Sequence, residues 1–417
     1  MSKHIFIVGG GVIGLSTAYY CAQRGHRVTV LDRNPARREG CSFGNAGLIV
    51  PSHIVPLAAP GMVALGLKWM WSPESPFYVK PRLSWALLDW GWKFWRAANA
   101  AHVARSAPLL RDLNLASRVC YEELAALPGS DFGLAKQGLL MLCKTPRRLE
   151  EEAKVAEQAR RLGLSAEVLT ARQTAERDPA VRMEVIGSVY FPQDCHLSPA
   201  RFMASLQQQL ERAGVEFSWD TDVTGWRTSG RRIDAVCTIQ GEFAADEFVV
   251  CGGAWSSCLA RELGVRLPMQ AGKGYSLTVP NPRQRPSTSA ILTEARVAVT
   301  PMDGSLRFAG TMEIAGLSEQ TNWRRVNGII QSVPRYYPDF TPDDFAGIQP
   351  WCGLRPCSPD GLPYLGRFAR YANLSAATGH AMLGLSLGPI TGKLMAEILS
   401  GEKPSLDVRP LDPERYA

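Results

Sequence analysis

Apolar and polar positions are most clearly patterned at the start of the chain. The apolar run "IFIV" at residues 5–8 predicts a strand buried on both faces. Residues 12–24 carry a helical pattern that Gly25 ends, and "RVTVLD" at 27–32 predicts a second strand. This order predicts a strand–helix–strand unit with two parallel strands.

Two later segments have the same character. "DEFVVCGGAWSS" at 246–257 predicts a strand that ends in two glycines and leads into a helix. "NLSAATGHAMLGLSLGPITGKLMAEILSG" at 373–401 predicts a strand, a glycine-rich turn and a helix that Gly401 closes. We therefore expect one parallel sheet assembled from three separated parts of the chain.

The residues between these parts follow other patterns. Helices are predicted at 145–163 and 199–213, and again within 321–338. Residues 215–244 alternate as short antiparallel strands, and 265–311 read as mainly β. Strands and helices grouped in this way indicate a second, α+β domain.

Composition indicates a folded globular protein. The 417 residues are 46% hydrophobic and 20% charged, and the net charge of +7 is spread without a basic tail, so nucleic acid is not an expected partner. The ten cysteines include no C-x-x-C pair, so no metal site is expected. Three consecutive glycines argue against a signal peptide at the N-terminus, and we expect a cytoplasmic protein without a membrane span.

The N-terminal unit carries the chemistry of dinucleotide binding. Gly9, Gly11 and Gly14 form G-x-G-x-x-G between the first strand and the helix, and Asp32 ends the second strand. The glycines permit a sharp turn, close approach of a pyrophosphate, and packing of helix on strand. Asp32 suits ribose hydroxyls and disfavours a 2′-phosphate.

FAD and NAD share this motif, and the discontinuous sheet favours FAD, an elongated cofactor touched by several strand ends. We predict an α/β fold in which a Rossmann-like FAD-binding domain of the glutathione-reductase type is interleaved with an α+β substrate domain built on a mainly antiparallel sheet. The predicted boundaries are 1–52, 145–262 and 346–417 for the FAD-binding domain, and 53–144 and 263–345 for the substrate domain.

Six of the eleven tryptophans lie between Trp69 and Trp95. As a helix, residues 83–97 place Asp89, Lys93 and Arg96 on one narrow stripe, and nearly all other positions are apolar. Two interpretations stay open. The helix packs under the substrate domain with one wet edge, or residues 67–97 make a peripheral contact with a membrane, on the cytoplasmic face of the inner membrane.

The chain resembles the FAD-dependent D-amino acid dehydrogenases of the D-amino acid oxidase and glycine oxidase superfamily. The resemblance spans residues 5–401 and rests on the N-terminal motif, "CSFGNAGLIVPS", "CGGAWS", "KGYSLTV", "WCGLRPCSPDGLPYLG" and "TGHAMLGLSLGPITGKLMAEILSG". The turn "GHAMLGLSLGP" is similar to the branch that acts on D-proline and hydroxylated D-proline.

The resemblance implies a noncovalent FAD and a set of residues around it. Residues 45–47 would pass beside the isoalloxazine ring, and a helix N-terminus within 379–391 would face its pyrimidine end, where reduced flavin carries negative charge. The implied cofactor-binding residues are Gly9, Gly11, Gly14, Asp32, Arg33, Asn45, Ala46, Gly47, Val223, Gly252, Gly253, Gly379, Gly384, Leu385, Ser386, Gly388 and Thr391.

Arg355 is the predicted substrate anchor. It lies in "WCGLRPCSPDGLPYLG" with no acidic neighbour closer than Asp360, and the resemblance implies that it binds the substrate carboxylate. A planar guanidinium suits a planar anion. The alternative is a structural arginine that bonds carbonyls of its own segment.

The other pocket candidates are Tyr275, which suits the substrate carboxylate or amine, and His53. Arg307 and Thr311 lie on a strand that could face the ring, and His380 is assigned to backbone packing at a turn.

The implied reaction is hydride transfer from a small amino acid to the flavin, with electrons passed to a quinone or another non-oxygen acceptor. No Ser-His-Asp or paired-carboxylate arrangement accompanies it, as expected for catalysis by alignment. Two alternatives stay open: a glycine- or sarcosine-type oxidase that uses oxygen, and an FAD-carrying subunit that needs partner subunits.

Overall fold

A computed structural model describes residues 1–37, 39–69 and 75–416. The helices in the described residues are α1 (Val12–Ala22), α2 (Met62–Trp69), α3 (Trp85–Ala97), α4 (Ala100–Ala125), α5 (Pro146–Arg161), α6 (Ala171–Arg177), α7 (Pro199–Arg212), α8 (Ser256–Glu262), α9 (Trp323–Ser332) and α10 (Gly388–Ser400). The helices predicted at 145–163, 199–213 and within 321–338 are present as α5, α7 and α9.

The strands are β1 (His4–Val8), β2 (Arg27–Leu31), β3 (Leu48–Ile49), β4 (Phe77–Val79), β5 (Leu139–Cys143), β6 (Glu167–Thr170), β7 (Gly187–Phe191), β8 (Cys195–His196), β9 (Glu216–Ser218), β10 (Val223–Ser229), β11 (Arg232–Thr238), β12 (Gly241–Ala244), β13 (Glu247–Val250), β14 (Gln270–Pro280), β15 (Ser289–Leu292), β16 (Val297–Met302), β17 (Ser305–Ile314), β18 (Trp351–Cys357), β19 (Tyr364–Arg367) and β20 (Leu374–Thr378).

The three separated N-terminal, central and C-terminal segments form one sheet, as predicted. Its order is β19-β20-β13-β1-β2-β9, and every neighbouring pair is parallel except β19 with β20. Helix α10 lies directly against α1, because a Cβ at Gly392 would be 2.4 Å from the backbone carbonyl carbon of Ser16. This close packing fixes the start of α10 beside the carboxyl ends of the central strands.

A second, nine-stranded sheet has the order β18-β14-β17-β16-β15-β5-β7-β6, with β4 paired to β17. Its pairs are antiparallel except β15 with β5 and β17 with β4, so the predicted mainly antiparallel sheet is confirmed. Strands β6 and β7 belong to this sheet although they fall within the 145–262 range assigned to the FAD-binding domain. The domain boundaries stay a prediction.

The short strands predicted at 215–244 divide between two sheets. Strands β10, β11 and β12 form an antiparallel three-stranded sheet. The prediction is wrong for β9, which pairs in parallel with β2 through Thr29 and Glu216. Three residues of alternating polarity do not specify whether the neighbouring strand is parallel or antiparallel. The direction of β9 is set instead by α7, which ends just before it at the edge of the sheet.

Helix α3 packs Trp90, Leu87 and Phe94 against the core and exposes its other large apolar residues to solvent. Trp90 is buried and its indole donates to the Cys357 carbonyl (2.9 Å), whereas Trp85 is 87% exposed and Trp92 and Trp95 are 58% and 56% exposed. The interpretation of a packed helix with only one wet edge is therefore wrong for these tryptophans. Residues 70–74 of the predicted 67–97 surface lie outside the described residues. Among the described residues, no helix has both the length and the apolar character needed to cross a bilayer.

Candidate active site

A cavity of about 330 Å³ opens at the carboxyl ends of β1, β2 and β13 and reaches strand β18. Many predicted site residues line it: Gly9, Gly11, Asp32, Arg33, Asn45, Val223, Gly252, Gly253, Arg355, Gly384 and Leu385. Other predicted residues lie outside its lining: Gly14, Ala46, Gly47, His53, Tyr275, Gly379, Ser386, Gly388 and Thr391. The structure thus brings residues from seven separate parts of the sequence to one cavity.

The turn after β1 is a cradle that only small residues can form. Gly9 has φ +116°, and a Cβ there would lie 2.4 Å from the Cys251 carbonyl oxygen. A Cβ at Gly14 would lie 1.8 Å from the Gly9 carbonyl oxygen, so this glycine seats α1 against the turn. Gly11 has open space on the cavity side, with Ser42 Oγ at 3.4 Å from its Cβ position. This arrangement fits the pyrophosphate of a dinucleotide.

The polar groups beside the cradle are held in place. Asp32 Oδ2 accepts from the Gly10 amide (2.7 Å), and Oδ1 accepts from the Asn34 amide (2.9 Å). The Arg33 guanidinium carbon lies 3.8 Å from the centre of the Trp255 ring. A fixed carboxylate and a stacked cation–aromatic pair therefore flank one end of the cavity, where a ribose and an adenine would fit.

The segment 43–47 is fixed by the nine-stranded sheet. Arg307 Nη1 donates to the carbonyls of Phe43 (3.1 Å) and Asn45 (2.7 Å), and burial lowers the pKa of Arg307 to about 10. The Trp351 ring covers Gly44, where a Cβ would be 1.9 Å from the indole. Arg307 was predicted as a candidate to face the ring. Its observed contacts make it a positioning residue for the segment that Asn45 belongs to.

The next residues, 48–53, are held from the other side. The Val50 amide donates to Ser386 Oγ (3.0 Å), and the Ser52 amide donates to Asp194 Oδ1 (3.0 Å). His53 Nδ1 lies 3.2 Å from Ser52 Oγ, and burial lowers the pKa of His53 to about 4. No sequence pattern points to Asp194, which anchors this segment through hydrogen bonds that depend on the tertiary fold.

We expect the buried Asp194 carboxyl to give the free energy of unfolding an unusual pH dependence. Burial raises the pKa of Asp194 to about 7, whereas the unfolded carboxyl titrates near ~3.9. The folded chain therefore binds the extra proton between these values, and the free energy of unfolding falls as pH rises through this window. The asparagine side chain of Asp194→Asn resembles the protonated carboxyl, so this variant should lack the fall. In the wild type the fall in the free energy of unfolding should reach up to about 4 kcal/mol at pH ~8. Urea unfolding at the two ends of the window tests it; parallel pH profiles for the two proteins would contradict it.

Arg355 faces the cavity from β18. Its guanidinium lies beside Gly274 of β14, where no side chain is present. A Cβ at Gly274 would be 2.1 Å from Arg355 Nη1, so glycine is needed to seat the guanidinium. Nη1 donates to the Thr311 carbonyl (2.8 Å), and Thr311 has φ +67°, an unusual conformation for a β-branched residue. Among the described residues, the Arg355 guanidinium has no ion-pair partner and no second hydrogen bond. Most of its donors are therefore available to a ligand.

Tyr275 lies on the opposite face of β14 from Gly274. Its hydroxyl donates to Glu313 Oε2 (3.2 Å) and accepts from the Asn322 amide (3.1 Å), and burial raises its pKa. The structure therefore separates Tyr275 from Arg355. His380, by contrast, lines the cavity and is 1% exposed, although its sequence position suggested only backbone packing.

Comparison with known proteins agrees with this geometry. Residues 4–398 match the DAO family, described as FAD dependent oxidoreductase. A D-amino acid dehydrogenase from Bradyrhizobium diazoefficiens is 33% identical over 99% of both chains, and one from Agrobacterium fabrum is 33% identical over 99% of this chain and 100% of its own. A crystal structure of glycine oxidase from Geobacillus kaustophilus matches the fold with a TM-score of 0.80 at 24% identity, covering 100% of this chain and 99% of its own. The chain belongs to the DAO family of FAD-dependent oxidoreductases.

Proposed function

We propose that this protein is a D-amino acid dehydrogenase in which Arg355 binds the substrate carboxylate. The observation that carries the proposal is a cavity-facing guanidinium that is seated by Gly274 and has no acidic partner among the described residues. A partly buried guanidinium without a counter-ion favours an anion, and its planar fork favours a carboxylate in bidentate geometry.

The same cavity holds both ligands in the proposal. The Gly9–Gly11 cradle and Asp32 would bind the pyrophosphate and ribose of FAD, and the segment fixed by Arg307 would border its ring. The bound FAD would supply the acceptor for the hydride that leaves the substrate α-carbon. Arg355 orients the amino acid so that this carbon is directed at the cofactor, and the imine product hydrolyses in water. Positioning accounts for the chemistry without a dedicated side-chain base.

The choice of D-amino acids is supported by the names of the relatives that match the whole chain. Within this class we propose D-proline and cis-4-hydroxy-D-proline as substrates, because the turn at 379–389 is similar to the branch that acts on them. Oxidation of the cyclic secondary amine to an imine leaves the carboxylate unchanged, so Arg355 has the same role for these substrates.

We further propose that electrons pass to a membrane quinone and that α3 docks on the bilayer. Trp85, Leu88, Trp92 and Trp95 recur along one side of α3 and are all more than half exposed. Lys68 and Arg96, which suit anionic headgroups, are exposed nearby in sequence. An aromatic face with basic flanks fits the interface of a lipid bilayer.

Replacing Trp85 and Trp92 by glutamine should weaken binding to vesicles of mixed neutral and anionic phospholipid. Each tryptophan removes apolar area from water on docking, so we expect about tenfold weaker binding per residue. Ile239→Gln, at a residue that is 78% exposed in the turn between β11 and β12, is the matched control. Equal cosedimentation of all three proteins, or no binding by the wild type, would contradict membrane docking.

The assay that tests the proposed function uses purified holoprotein with a panel of D- and L-amino acids. A soluble quinone analogue or air serves as the electron acceptor. We expect quinone reduction with D-isomers and little hydrogen peroxide in air. Peroxide at a rate that matches turnover would instead support a glycine- or sarcosine-type oxidase. Turnover only after adding a cell extract would support a subunit that needs partners.

A further inference from the structure

His380 is a buried polar side chain at the cofactor cavity whose bonding is incomplete. Its Nε2 lies 2.9 Å from Thr391 Oγ1, and its Nδ1 is buried with no hydrogen-bond partner in the part of the chain that the structure describes. An unpaired buried polar atom is destabilising. Burial also lowers the pKa of His380 to about 3, so the ring is neutral. Such an atom on a residue that lines a ligand cavity indicates a contact that the ligand completes.

The backbone around His380 supports this interpretation. Gly379 has φ +80° and Ala381 has φ +48°, so the histidine is held between two residues in the left-handed region. A Cβ at Gly379 would lie 2.7 Å from the Tyr364 ring. His380 also forms a β-bridge with Cys357, two residues from Arg355. Conformational strain of this kind is typical of functional sites, where the surrounding fold maintains it.

Thr391 determines which ring nitrogen carries the proton. Among the described residues, the Thr391 hydroxyl has no hydrogen-bond partner other than His380 Nε2. The Thr391 hydroxyl therefore donates its hydrogen bond to Nε2, and the neutral ring carries its proton on Nδ1. We propose that His380 Nδ1–H donates a hydrogen bond to a carbonyl oxygen or ring nitrogen of bound FAD, and that Thr391 fixes this tautomer. A donor there stabilises the reduced flavin most, because the ring gains negative charge on reduction.

The test measures the two-electron midpoint potential and the FAD dissociation constant of holoprotein variants. His380→Leu removes the donor and should weaken FAD binding about tenfold and lower the potential by about 30 mV, the equivalent of a further tenfold preference for the oxidised form. His380→Asn places an amide N–H near the Nδ1 position and should retain most of both properties. His26→Leu removes another largely buried histidine, hydrogen-bonded to Ser400 away from the cavity, and should change neither.

Wild-type potential and FAD affinity in His380→Leu would overturn the proposal. So would equal losses in His380→Leu and His380→Asn, because that result would indicate packing alone. Should His380→Leu fail to fold, Thr391→Val provides the test. It leaves the ring in place but frees its tautomer, and we expect full FAD occupancy with a lowered potential. An unchanged potential in Thr391→Val would then overturn the proposal.

Discussion

Arg355→Met should lower kcat/KM for D-amino acids by about 30- to 1,000-fold while FAD still binds. Arg355 lines the cavity and has no ion-pair partner among the described residues, and methionine fills a similar volume without a charge. Loss of a desolvated bidentate contact corresponds to about 2–4 kcal/mol of transition-state stabilisation. Steady-state kinetics on variants matched for FAD content measure the effect.

Arg355→Lys is the matched variant that keeps the charge. Lysine cannot form the planar two-point contact, so we expect a loss between that of the wild type and that of Arg355→Met. Gly274→Ala should also lower kcat/KM, because the alanine Cβ would displace the Arg355 guanidinium. Near-wild-type kcat/KM in Arg355→Met would show that another group binds the carboxylate.

Gly14→Ala should abolish stable FAD binding and destabilise the fold by about 3 kcal/mol or more. The added methyl carbon would lie 1.8 Å from the Gly9 carbonyl oxygen, in rigid backbone rather than a flexible side chain. Either α1 or the cradle must then move, and both border the cofactor cavity. FAD content per chain and urea unfolding measure the two consequences.

Gly91→Ala is the control for that substitution. Gly91 also lies within a helix, and nothing is within 4 Å of its Cβ position. Alanine there should stabilise the protein by up to ~1 kcal/mol through helix propensity alone. Equal stability and FAD content in the Gly14 and Gly91 variants would contradict the role assigned to the cradle.

The sequence was sufficient for features that depend on local pattern. The strand, glycine turn and helix around Gly11, and the returns at 246–257 and 373–401, are each encoded within about 30 residues. Arg355 was identified because a guanidinium without an acidic neighbour stands out in an apolar segment. All of these lie at the cavity in the structure.

Other features depend on which face of a strand or helix a residue occupies in the assembled fold. Tyr275 and Gly274 are neighbours in sequence but lie on opposite faces of β14, and only strand pairing decides which face meets the cavity. Arg307 acquires its contacts with Phe43 and Asn45 from a segment far away in the chain. The sequence pattern also does not determine which side of α3 is exposed, because the helix has more apolar positions than the core can cover.

The most direct test of the central claim is anaerobic mixing of the holoprotein with D-proline, cis-4-hydroxy-D-proline and their L-isomers, while flavin absorbance is followed. We predict rapid bleaching by the D-isomers, no bleaching by the L-isomers, and slow bleaching in Arg355→Met. Flavin that stays oxidised with every D-amino acid, or that is bleached equally fast in Arg355→Met, would contradict a D-amino acid dehydrogenase anchored on Arg355.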